Sequence, residues 1–100
     1  MVTNNKIKIK WDEVAKDSFK AAIQYIRNDS PKNAEKVKKD LLVKINGIKD
    51  HPKKYPEDKF MKDNDGTFRA FELHHYRVRY ALTREEIIII QIRHTSMEPL

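Results

Sequence analysis

The chain has 100 residues, a formal net charge of +6, and no cysteine. That length fits one domain spanning residues 1–100, and the missing cysteine excludes disulfides, thiolate metal sites and a cysteine nucleophile. The longest apolar run, Ile87 to Ile90, is far too short to cross a bilayer, and Met1 to Lys10 holds no apolar stretch of signal-peptide length, so a cytoplasmic protein with no membrane attachment is expected.

In chain order, Ile7, Ile9 and Trp11 alternate with Lys6, Lys8 and Lys10, a period-two pattern that predicts a short half-buried strand. Asp12 stands at a helix N-cap position. Behind it Ala15, Phe19, Ala22 and Ile26 recur at helical spacing, predicting an amphipathic helix over about Glu13 to Arg27. Ser30-Pro31 then supplies an N-cap followed by a proline at the first helical position, where its missing N–H costs nothing. A second helix, to about Asp50, carries its apolar stripe on Ala34, Val37, Leu41, Ile45 and Ile48, with lysines on its other faces. The short connection predicts an antiparallel helical hairpin.

His51 to Gly66 has two prolines, mixed charge and no periodicity, which predicts a long loop ending in an Asp65-Gly66 turn. Three strands follow. Phe71 and Leu73 share a face of the first, which begins near Thr67. Tyr76, Val78, Tyr80 and Leu82 share a face of the second. Ile87 to Ile92 reads as a central strand buried on both sides. If His74-His75 is a two-residue hairpin loop, Leu73 faces Tyr76, Phe71 faces Val78, and Arg69 faces Tyr80 at the rim. Glu72 then faces Arg77 on the opposite side, next to Arg79. This register separates apolar from charged residues, whereas a slip of one would turn Arg77 toward the core. The fold class is α+β in the order β-α-α-β-β-β, with the helical hairpin packed on one face of a mainly antiparallel four-stranded sheet.

The stretch Gly66-Thr-Phe-Arg-Ala-Phe-Glu-Leu-His-His-Tyr-Arg-Val-Arg-Tyr80 resembles the central hairpin of the RelE/ParE toxin superfamily, and Ile90-Gln-Ile-Arg-His94 resembles its last core strand. The opening strand, the Ser30-Pro31 helical hairpin and the His51-Pro52 step agree in order and spacing. The resemblance implies the growth-arresting toxin of a bacterial type II toxin–antitoxin, or plasmid-stabilisation, module, neutralised by a cognate acidic antitoxin lying across the helices or sheet. Two activities follow from it, with ribosome-dependent messenger RNA cleavage the first expectation and gyrase inhibition the alternative. RelE-like members cut messenger RNA on the ribosome without metal or cofactor, through attack of the RNA's own 2′-hydroxyl on the adjacent phosphate. ParE-like members poison DNA gyrase and hydrolyse nothing. A catalytically inactive nucleic-acid-binding relative is the third possibility.

Cleavage needs a base, cations for the phosphorane and an acid for the leaving oxygen. By the resemblance Arg77 is the phosphate-gripping cation; the plainer reading is a cross-strand ion pair with Glu72. Arg69 is either a second cation or a rim residue packed on Tyr80. His94 closes the last strand as acid or base, or as an exposed strand end. Glu72 serves as base only if it is not tied to Arg77. No metal is expected: the turn histidines 74 and 75 have no third ligand in reach. Lys53, Lys54, Lys59 and Lys62 of the loop, with Arg79, form the expected nucleic-acid-binding surface, which would equally suit an acidic antitoxin. The chain departs from the ribonuclease pattern twice. Arg69 is the lone basic residue of its strand, and neither Arg nor Tyr follows His94.

Overall fold

A computed structural model describes residues 7–97. Lys6, in the expected opening alternation, and residues 98–100 lie outside the described residues. The elements follow the expected order: β1 (Lys8–Trp11), α1 (Glu13–Asp29), α2 (Pro31–Gly47), β2 (Phe68–Leu73), β3 (Tyr76–Leu82) and β4 (Glu86–His94), with one 3-10 turn after α2 at Ile48–Asp50 and another at Thr95–Met97. Both helix starts use the side chains expected of them. The Asp12 carboxylate accepts the Val14 amide at 3.1 Å, and the Ser30 hydroxyl accepts the Asn33 amide at 3.1 Å. The Ser30 amide also closes α1 by donating to Ile26 O at 2.8 Å, so one residue ends one helix and caps the next.

The sheet has four strands in the order β1-β4-β3-β2, with β1 parallel to β4 and the other pairs antiparallel. The β2–β3 register is the expected one: Leu73 faces Tyr76, Glu72 faces Arg77, Phe71 faces Val78 and Arg69 faces Tyr80. His74 and His75 make the turn with φ of 54° and 68°, the left-handed pair that a two-residue hairpin requires. His74 is held there by a 2.7 Å bond from its Nε2 to the Asp40 carboxylate of α2. That bond, followed by the Lys36 ammonium, keeps the Asp40 carboxyl below the usual aspartate range.

One core lies between the helices and one face of the sheet. Ala15 and Ile23 of α1, Ala34, Val37, Leu41 and Ile45 of α2, and Phe71, Val78, Tyr80, Ile87, Ile89 and Ile92 of the strands are buried in it. The expectation that β4 is covered on both faces needs correcting: Ile88 and Ile90, on the face away from the helices, are half-exposed. The register shift beside Arg79 and Tyr80 inserts one extra β4 residue between the Gln91 and Ile89 partners, so Ile89 and Ile92, three apart, are both buried in the core.

Tyr80 is fully buried, and its hydroxyl donates to Pro52 O at 2.9 Å, tying the loop after α2 to the middle of the sheet. Burial pushes its pKa up to about 12, against about 10 for a free tyrosine. A group raised on folding stabilises the fold fully below its unfolded value and loses that contribution as pH rises to the folded one. Stability is therefore expected to fall between about pH 10 and pH 12. An absorbance titration should show a late phase of tyrosine ionisation, to which Tyr76, also raised by burial, contributes, and Tyr80→Phe should shrink it.

Candidate functional site: a strap over the basic face of the sheet

The face of β2 and β3 away from the helices carries Glu72, Arg77 and Arg79, as period-two alternation demands. It is not the open cationic surface expected from sequence. The 51–66 segment folds back over it as a strap. Pro56 O accepts the Ala70 amide at 3.2 Å, the Asp58 amide donates to Phe68 O at 2.8 Å, and Glu57 bridges to Arg69, so the strap also lines the outer edge of β2.

Asp58 then turns inward, and its side chain is fully buried against both arginines. Its Oδ1 accepts from Arg77 Nη2 at 2.7 Å, and its Oδ2 lies against Arg79 Nε. Arg77 Nη1 reaches Glu72 at 3.1 Å, and its guanidinium lies 4.8 Å from the centre of the Phe60 ring. The Arg77 side chain is only 7% exposed, and Arg79 adds a 3.0 Å bond to Gln91. Burial on its own would raise the Asp58 carboxyl. The Arg77 hydrogen bond, the Phe60 amide and the two guanidinium charges outweigh it and hold the group below the ordinary aspartate range.

These contacts correct the reading of the sheet arginines. Arg77 does face Glu72, but the stronger partner is Asp58, and a buried guanidinium engaged on three sides is not presented to a phosphate. Arg69 is likewise turned to the strap: its Nε donates to Gly66 O at 3.1 Å and its Nη1 to Tyr55 O at 2.8 Å. Gly66 has φ of 99°, a left-handed value suited to glycine, which lets this turn close on Arg69. Lys53, Lys54, Lys59 and Lys62 are exposed but spread along the strap, with Lys59 lying over Phe60 and Lys54 over Tyr55.

His94, partly exposed, lies only one register position from Arg77, but it pairs with Tyr76, so alternation turns its side chain to the helix face of the sheet. The Ser96 amide donates to its Nδ1 at 3.1 Å, and its ring packs edge-on to Tyr76 at 5.2 Å and stacks with His75 at 6.2 Å. The four residues expected to form one catalytic set are thus not convergent: Glu72 and Arg77 are paired, Arg69 holds the strap, and His94 belongs to the hairpin-tip cluster. Asp58 and Phe60 are the residues sequence reasoning missed. Their signal is indirect: Arg77 and Arg79 share one face, and Glu72 can match only one of them.

A family profile described as "ParE toxin of type II toxin-antitoxin system, parDE" matches residues 9–99. The chain belongs to the ParE toxin family. Among solved structures it is similar to a chain of the "Chromosomal ParDE TA system from P. aeruginosa", with a TM-score of 0.71 and 16% identity over 91% of this chain and 98% of that one. At that identity the likeness shows a shared ParE-like fold. No curated protein sequence matches the chain. Among the described residues no helix is long and apolar enough to cross a membrane, and no group of three or more His, Asp or Glu side chains could hold a metal ion.

Proposed function

We propose that this ParE-family toxin arrests growth in the cytoplasm by binding DNA gyrase, without hydrolysing nucleic acid, and that an acidic antitoxin neutralises it. The observation that carries the reading is the Asp58 lock. A ribonuclease of this fold class would need Arg77 free to stabilise a phosphorane, whereas here its guanidinium is buried and engaged by Asp58, Glu72 and the Phe60 ring. The alternation that turns His94 to the other face of the sheet from Arg77, and the ParE membership, support the same reading. Arg69 keeps a structural role on this reading, and Lys53, Lys54, Lys59 and Lys62 serve the antitoxin or gyrase rather than a scissile RNA.

The test is inducible expression in a bacterial host. The expected result is loss of gyrase supercoiling, DNA breaks and induction of the DNA-damage response while messenger RNA stays intact. Purified protein should inhibit gyrase-driven supercoiling in a reaction that contains no ribosomes. Codon-specific cuts in messenger RNA, with supercoiling unaffected, would restore the ribosome-dependent cleavage reading.

A further inference from the structure

The strap divides the sheet face away from the helices into a covered half and an open half. On β2 and β3 the side chains Ala70, Arg77 and Ala81 are buried. On β4 and β1, Ile88 and Ile90 stay half-exposed beside the exposed Lys8 and Lys10. Ile88 faces Lys10 of β1 on one side and Ala81 of β3 on the other, so the isoleucines form a shallow shelf between the rim lysines and the covered half. Two strands spaced by about 4.8 Å make that shelf roughly 10 Å wide, which is about the diameter of one α-helix with its side chains.

The β4 bulge shapes this shelf. Strict alternation from Ile88 would set Ile90 and Ile92 on the open face and point Arg93 at the helices. With Ile90 as the extra residue, Ile92 turns into the core and Arg93, partly exposed, pairs with Arg77 on the open side. Bulges re-aim side chains in this way beside functional surfaces. Lys10 is tied to Glu86 of β4 at 2.7 Å on the same face. That leaves Lys8 at one end of the shelf and Arg93 at the other as its cations. A second copy of this chain fits poorly, because two such faces would set cation against cation. Nucleic acid would answer the charge, but the centre of the shelf offers isoleucines where bases need aromatic platforms.

We propose that this shelf is the surface that docks gyrase, receiving a helix of the target whose apolar centre covers Ile88 and Ile90 and whose carboxylates meet Lys8 and Arg93. The inference rests on the gyrase reading above and names the part of the toxin that carries it. The isoleucines supply the desolvated centre of the contact, and the cations at its two ends supply steering and orientation. Two half-exposed isoleucines between cations leave the free toxin soluble, and a patch of that size suits a transient contact with a target. The strap, locked by Asp58, keeps the neighbouring half of the face closed, so the target meets a rigid ledge.

The test uses the purified full chain and the gyrase holoenzyme, with binding and supercoiling measured side by side. Ile88→Ser together with Ile90→Ser is expected to weaken both by about tenfold or more, the loss typical of a central interface position, while circular dichroism stays native. Val14→Ser with Val43→Ser, at the exposed valines of the helical hairpin, should remain within about twofold of wild type. Lys8→Glu with Arg93→Glu keeps both isoleucines and should slow association and flatten its dependence on salt. That variant decides the matter if the serine variant unfolds. Wild type that neither binds nor inhibits gyrase overturns the gyrase reading, and this inference with it, before any variant is made. Wild type that inhibits, with both shelf variants matching it, overturns the shelf and leaves the gyrase reading standing. Shelf variants that inhibit fully yet escape neutralisation by co-expressed antitoxin would assign the surface to the antitoxin and overturn the proposal in the same way.

Discussion

Asp58→Ala is expected to destabilise the protein by about 3–5 kcal/mol, the usual cost of removing one partner from a buried ion pair. The carboxylate is fully buried between Arg77 and Arg79 and compensates both guanidiniums. Without it, two largely buried guanidiniums lose the carboxylate they share, and the Glu72 contact that Arg77 keeps is itself half-exposed. A domain of this size has roughly 5–15 kcal/mol in all, so the variant should be close to unfolding at growth temperature. Urea denaturation measures the loss. The same group sets an acid limit. Its carboxyl is depressed in the fold, so its contribution is complete above the unfolded aspartate value of about 3.9 and disappears as pH falls through the lower folded value. The stability of the wild type should therefore drop steeply below about pH 4, and Asp58→Ala should flatten that slope.

Arg77→Met separates a structural arginine from a chemical one. Met keeps much of the apolar volume over Phe60 but leaves Asp58 with Arg79 as its remaining arginine partner, a change expected to cost about 3 kcal/mol. If the toxin works by binding rather than cleavage, growth arrest should weaken in proportion to the folded fraction and return when expression is moved to a temperature at which the variant is folded. Folded fraction is read by circular dichroism, and arrest by colony counts after induction. An arginine that stabilises a phosphorane behaves differently. Its loss removes activity by orders of magnitude even in fully folded protein, and cooling would restore nothing. Persistent inactivity of folded Arg77→Met, together with messenger RNA cuts by the wild type, would overturn the gyrase reading.

Most of the architecture was legible before any coordinates because it rests on local rules. Asp12 and Ser30 mark both helix starts, and each cap bond is present. The β2–β3 register followed from keeping Arg77 off the core face, and the pairing is residue for residue as expected. The candidate site was less legible. Period-two alternation puts Arg77 and Arg79 on the side away from the helices, but it is silent on what lies above that side. The strap has no periodicity, and its acidic residues Glu57, Asp58, Asp63 and Asp65 are equivalent on paper. Only Asp58 is turned inward, because the backbone bonds of Pro56 and Asp58 to β2 fix the direction in which the chain then bends.

The sequence by itself determined the helices, the strands, their order and the central hairpin register, since caps, apolar spacing and turn residues act over a few neighbouring positions. The tertiary structure alone decided that the basic face is closed, that Arg69 serves the strap, and that His94 takes the opposite face of the sheet from Arg77. Those outcomes depend on contacts between distant segments, such as the 19 residues that separate Arg77 from Asp58. There the burial of a charge is settled by which carboxylate the folded chain can bring within reach.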